Sequence, residues 1–402
     1  MLPIGSRPLR GVTWIALLAA CSRADGRESL GEAQIDTLAG GVIQVTNTGP
    51  TAWADTNGWK LVEERVIQPA EGSPGELSHV SGLAADASGN VYVMQEQPVR
   101  ISVFGPDGGY LRDIGREGDG PGEFRFGMLG IVGDTLFVQD PNNTRLTTFL
   151  TDGTFLASHH SQCCWFTSSL TVLTDGRALI LGPPQGGDGR GAWYFTRMDG
   201  TVTDTLMMPA ERPEEAADFW RVTRRSGQSV SMRTVSIPMR PGDQAEIRPD
   251  GKVIRGRTDS YRLVIGDTFE DSSRIIIGTA PTLTVTDAQR DSAYRATLDA
   301  QRDDWRDAFA EIAKLGDIPG TWPTWTAMTV DRDNNTWVAL PGDRGEYSRM
   351  QVFDPEGVLL GDVPAVGSAI FNGFWTRTHV YVGTEDDSGL PIIRVYRIVK
   401  ES

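Results

Sequence analysis

Residues 87–93, ASGNVYV, followed by VRISVF at 99–104 and GPDGGYL at 105–111, decide how the rest of the chain is read. A Ser-Gly-Asn turn opens a short apolar strand. A polar loop leads through Arg100 into a second strand, where Ile101 and Val103 alternate with Arg100 and Ser102 at the period of a pleated surface. A Pro-Asp-Gly turn then reverses the chain. The unit returns as VGDTLFV, TRLTTF and LTDGTFL over 132–156, and as DRDNNTWV, SRMQVF and DPEGVLL over 331–360. It recurs in shortened form as RTHVYV and IRVYRI within 377–398. Two looser copies are TDGRALI with AWYFTRMDG (174–200) and RPDGKVI with YRLVIGD (248–267).

Six copies are therefore counted. The arginines that open the alternating strand are Arg100, Arg145, Arg262, Arg349 and Arg394, and both the first and the last pair are separated by 45 residues. A period near ~40–50 residues with several short strands per unit is that of propeller blades. The expected fold is all-β, a six-bladed β-propeller over residues 58–402. WKLVEERVI (59–67) precedes the first full copy and can pair beside IRVYRIV as a clasp, because an open ring leaves an unpaired sheet edge.

Two stretches depart from the repeat. Residues 212–244 have no clear period. Residues 284–320 read as a helical insert: Thr286 and Gln289 form a capping-box pattern, and Tyr294, Leu298, Trp305, Phe309 and Ile312 recur at helical spacings before Gly316. This helix is expected to lie against the propeller. Its polar face carries Asp291, Asp299, Asp303, Asp304 and Asp307, which anionic lipid would repel.

The composition agrees with a turn-rich globular protein. The 402 residues hold 46 Gly and 23 Pro, with 39% hydrophobic and 23% charged residues, which excludes a disordered acidic chain or a coiled coil. The net charge of −15 repels phosphate backbones, so no nucleic-acid partner is expected.

The beginning of the chain carries Arg7, Arg10 and the apolar run GVTWIALLAA (11–20), too short to span a bilayer core that needs ~20 residues. Leu18, Ala19, Ala20 and Cys21 resemble the lipobox of bacterial lipoproteins. That resemblance implies a signal peptide over 1–20, diacylglycerol on Cys21 and a place in the bacterial cell envelope, with the membrane as partner through the lipid. Ser22, where an Asp would resemble the inner-membrane retention signal, favours the outer membrane. Residues 21–57, rich in Gly, Ala, Thr and Asp, read as a flexible tether.

GNVYV, VRISVFGPDG and above all IGREGDGPGEF (114–124) resemble the NHL-repeat class of six-bladed β-propellers, especially its bacterial lipoprotein members of largely unknown function. The resemblance covers nearly all of the mature chain and implies the fold. It does not imply one activity, because the same scaffold hosts lyases, lactonases, RNA binders and signalling modules.

Candidate chemistry is sparse. HHSQCC (159–164) gathers imidazoles and thiols, but strand neighbours point to opposite faces, so no metal site is expected there. DRDNN (331–335) occupies the turn position of the repeat and is read as a turn, not a calcium loop. Trp165, Trp193, Trp220, Trp322, Trp325 and Trp375 are read as core in preference to a carbohydrate or peptide surface. The connector 114–124 is the best-marked loop at a propeller mouth. Its Arg116, Asp119 and Glu123, with Asp140 and Asn142, are the ligand-binding candidates. No cofactor is expected. Some related enzymes hold a metal at the channel mouth on acidic, amide or His ligands, and Glu123, Asp140, Asn142 and Asp343 offer such oxygens.

The function expected is a lipid-anchored binding module for a small molecule, a peptide or an envelope protein. The alternative is a metal-dependent lyase or lactonase acting at the channel mouth.

Overall fold

A computed structural model describes residues 33–49, 51–53, 58–161, 170–182, 190–210, 217–226, 229–342 and 347–400. Cys21, Cys163, Cys164, Trp165 and Asp343 lie outside them, and with them the lipidation site and half of the HHSQCC cluster.

Six sheets, antiparallel except for one parallel pair in blade 4, surround a central channel. Blades 1 to 6 begin with the inner strands Val80–Ala85, Met128–Val132, Leu170–Val172, Asp243–Ile247, Ala327–Val330 and Phe374–Trp375, and the strands that follow proceed outward in chain order, except that blades 4 and 6 are completed on the outside by strands from the start of the chain. The second strands are buried on both faces, as in Val91–Glu96 of blade 1 and Thr336–Pro341 of blade 5.

The repeated turn is built by one aspartate at the end of the inner strand. Asp86 Oδ1 accepts the Ser88 and Asn90 amides, and Oδ2 accepts the Asn90 side chain and the Tyr92 hydroxyl at 2.9 Å. Asp331 repeats this with the Asp333 and Asn335 amides, the Asn335 side chain and the Trp337 indole at 3.1 Å. DRDNN is thus a turn, whose buried carboxylate satisfies backbone donors and anchors a core aromatic.

The clasp forms. Lys60–Ile67 pairs antiparallel with Pro391–Val399 and becomes the outer strand of blade 6. A bulge between Glu63 and Arg65 exchanges the faces of this strand. Leu61 consequently packs with Trp337, Trp375 and Ile398 between blades 5 and 6, whereas Ile67 packs with Val93, Phe104 and Ile393 between blades 6 and 1.

The stretch 21–57 is not wholly a tether. Gln34–Thr37 and Ile43–Thr46 extend blade 4 to six strands, the second running parallel to Arg274–Ile277. The physical reason is the alternation in IQVT and the buried Asn47. Its side chain donates to the carbonyls of Ile277 and Gly357 and accepts from the Leu359 amide at 2.8 Å, stapling blade 4 to blade 5.

The insert also departs from expectation. It is two helices, α1 (Asp287–Asp299) and α2 (Asp303–Ile312), with the capping box at Thr286 and Gln289 in place. The seven-residue step from Leu298 to Trp305 spans the break. There the Arg306 guanidinium collects the carbonyls of Leu298, Asp299 and Gln301, and Asp303 and Asp304 favour a new helix start. The helices do not pack on the blades. Phe309, Tyr294, Leu298 and Trp305 join Trp220, Val222 and Ile237, so the apolar ridge covers a hairpin, Phe219–Ser226 with Ser229–Ser236, that lies within the stretch of no clear period. Ile312 stays exposed.

Candidate functional site

In each blade the turn after the inner strand lies at one end of the channel, and the connectors between blades lie at the other. A cavity of about 1370 Å³ follows the channel and is lined mainly by residues of the turn end. None of Arg116, Asp119, Glu123, Asp140 and Asn142 lines it. They sit at the connector end and spend their polar groups on one another and on the loop. Glu123 takes the Arg116 guanidinium at 2.8 Å and the Gly120 amide at 2.8 Å, which hold its carboxyl below the usual range. Asp119 pairs with Arg125, which lowers it likewise. Asp140, fully buried, accepts the amides of Arg125, Asn142 and Asn143. Arg145 donates to the Asp119, Gly120 and Glu123 carbonyls, and Arg100 to the Glu76 carbonyl. These repeated arginines secure connectors. Arg349 and Arg394 pair with Asp362 and Glu63 on the outer strand of their own blades, as Arg100 also does with Asp113. Among the candidate tryptophans, Trp220, Trp325 and Trp375 are buried, with the Trp325 indole donating to the Ser260 carbonyl at 2.9 Å.

At the turn end, charged groups from three blades border the cavity. Arg332 follows the turn aspartate of blade 5 and reaches past blade 4 to donate to the Val172 carbonyl on the inner strand of blade 3. Burial lowers its pKa, and the charge of Arg377 adds to the effect. Arg377, on the blade 6 turn, is held at 3.0 Å by Asp333, which also receives Lys400 at 3.1 Å. Next to it the His379 ring stands between Thr378 Oγ1, 2.9 Å from Nδ1, and Glu64 Oε2, 3.0 Å from Nε2. A hydroxyl, an imidazole and a carboxylate in line can relay a proton. Glu246, on the inner strand of blade 4, is half-buried, and desolvation pushes its carboxyl up to about 7. The buried Ser81 hydroxyl on blade 1 has no hydrogen-bond partner among the described residues. Among the described residues no group of three or more His, Cys, Asp and Glu side chains is gathered for a metal ion.

Arg332, Arg377, Glu246 and His379 were absent from the sequence candidates. Aligning the repeats offers a signal for the first of them. DASGN (86–90) and DRDNN (331–335) build the same turn on Asp and Asn, so the residue after the Asp is not needed for it, and that position is Ala in one copy and Arg in the other.

Glu246→Gln tests the electrostatics. The folded carboxyl lies above an unfolded value near ~4.3, so the folded state holds its proton longer, and the wild type loses stability between about pH 4.5 and 7. The variant should be more stable by about 1–3 kcal/mol at pH 8 and equal at pH 4. Urea melts at the two pH values check this; equal differences at both would place the carboxylate in water.

No protein-family profile matches the chain, and no curated protein matches its sequence. Solved structures do match. An exported protein of Bacteroides fragilis is 12% identical over 89% of this chain and 100% of its own, with a TM-score of 0.44. Virginiamycin B lyase of Staphylococcus aureus is 10% identical over 85% and 100%, at 0.41. Regucalcin of Agrobacterium tumefaciens, a calcium-binding protein, is 12% identical over 86% and 97%, at 0.36.

Proposed function

We propose that this protein is an envelope-anchored binding module that takes a small molecule or peptide bearing anionic or acceptor groups into the turn end of its channel. The observation that carries the reading is Arg332 spanning from blade 5 to blade 3 across a cavity of about 1370 Å³, with Arg377 beside it. Two guanidiniums in a concave site of this size favour carboxylates, phosphates and peptide carbonyls. Glu246, whose carboxyl desolvation pushes up to about 7, adds a group whose charge changes near neutral pH, so affinity should depend on pH.

A thermal-shift screen of dicarboxylates, sugar phosphates and short peptides tests the reading. Arg377→Ala removes a rim cation without touching the core. It should leave melting within about 1 °C and weaken the best hit at least tenfold, the loss of one charge-assisted hydrogen bond. Equal affinity in wild type and variant would move the site elsewhere. Anchoring is tested separately: labelled palmitate should enter the wild type and be absent from Cys21→Ser, and equal labelling would end the lipoprotein reading.

A further inference from the structure

The hairpin Phe219–Ser226 with Ser229–Ser236 has two unlike faces. One, bearing Trp220 and Val222, is buried against Phe309 of α2. Side chains alternate along a strand, so Phe219, Arg221, Thr223 and Arg225, with their cross-strand partners Val230 and Met232, occupy the other. That face is open: Val230 and Met232 are each 61% exposed and Phe219 37%. No described acid pairs with Arg221 or Arg225, although the protein is strongly acidic elsewhere. From 219 to 240 the sequence holds five Arg (221, 224, 225, 233 and 240) and no Asp or Glu, within a chain of net charge −15.

We infer that this face is a membrane-docking surface that seats on an anionic bilayer leaflet. The inference rests on the anchoring part of the reading above. Apolar side chains interleaved with arginines match the boundary between acyl chains and anionic headgroups, where each cation multiplies binding about fivefold. The position of the anchor points the same way. Gln34 lies beside Thr46, which pairs with Ile277, the end of the blade 4 strand that leads into the helices supporting the hairpin. Cys21 is twelve positions before Ala33, so a lipid on Cys21 cannot lie more than about 42 Å from this edge, less than the roughly 55 Å width of a globule of this length. The lipid would hold this quadrant of the molecule towards the bilayer, and the hairpin is the basic element found there.

The test uses the chain from Ser22 to Ser402, which keeps every described residue and lacks the acylated cysteine. It is sedimented with vesicles of phosphatidylcholine containing about 30% phosphatidylglycerol (a fraction of the order used to mimic anionic leaflets) and with pure phosphatidylcholine. Binding is expected to the first and not the second, falling as salt is raised. Arg221→Glu with Arg225→Glu should lower partitioning at least about 25-fold, two cations at about fivefold each, and Val230→Ser with Met232→Ser severalfold. Arg197→Glu with Lys252→Glu changes the net charge equally at the opposite end of the propeller and should leave binding within about twofold; melting curves verify that all variants fold. Equal losses in both charge-reversed pairs, no binding to anionic vesicles, or polyglutamate binding as tight as vesicle binding would each overturn the proposal, the last by assigning the face to an acidic protein. Vesicle binding that persists when Cys21 incorporates no palmitate would sink the anchor and leave the docking surface standing.

Discussion

Replacing Leu61 and Ile67 together by alanine is expected to cost about 4–10 kcal/mol, much of a typical domain's stability of about 5–15 kcal/mol. Each is a large side chain removed from a buried site, at 9% and 1% exposure. The effects should add, because the bulge at Glu63 and Arg65 sends the two residues into different clusters on opposite faces of blade 6. Loss of this strand would also free the backbone of Pro391–Val399 as a sheet edge, so aggregation should accompany unfolding. Urea denaturation of the two single variants and the double checks this. A loss below about 1 kcal/mol in the double variant would mean that the ring closes without its clasp.

Phe309→Ala should cost about 3–5 kcal/mol, but within the insert. The side chain is 1% exposed and sits at the centre of a cluster made of α1, α2 and the hairpin, separate from the clusters between blades. A polar link joins this unit to blade 4, where Asp218 takes Arg257 at 2.9 Å; within the unit Asp218 also takes Arg240 at 3.2 Å and the Trp220 indole donates to Asp317. The expected result is early proteolysis and fast amide exchange over 219–236 and 287–312 while the blades keep their protection. Exchange that rises equally throughout would show one cooperative unit. Trp305, only half-buried, should give a smaller effect than Phe309.

Much of the architecture is written in local signals. Turn residues, the period of two and the 45-residue spacing specify blades because each blade repeats the same local problem. An inner strand must end, reverse on an aspartate and bury the next strand on both faces, as Asp86 with Tyr92 and Asp331 with Trp337 do. The closing strand was legible for a related reason: a ring with a leftover apolar strand at its start and an unpaired edge at its end has one economical solution.

Other features depended on contacts between residues far apart in sequence. Asn47 is an ordinary loop residue until Gly357 and Leu359, over 300 positions away, accept and donate to it. The face exchange in the clasp comes from a bulge whose register is set by Ile393 to Val399, not by the alternation of KLVEERVI itself. The helix spacing revealed an apolar ridge but not its partner, since the hairpin beneath it has its own two-residue period and no repeat to announce it. The site differs most. Gly-rich composition marked the connector 114–124, where glycines and charges serve a self-satisfied loop, while the channel draws Arg332, Arg377 and Glu246 from three blades. Sequence alone determined the repeat, because a blade is stabilised by neighbours in the chain. Only the closed ring decided which residues face the cavity, because a channel is lined by the inner edges of all the blades at once.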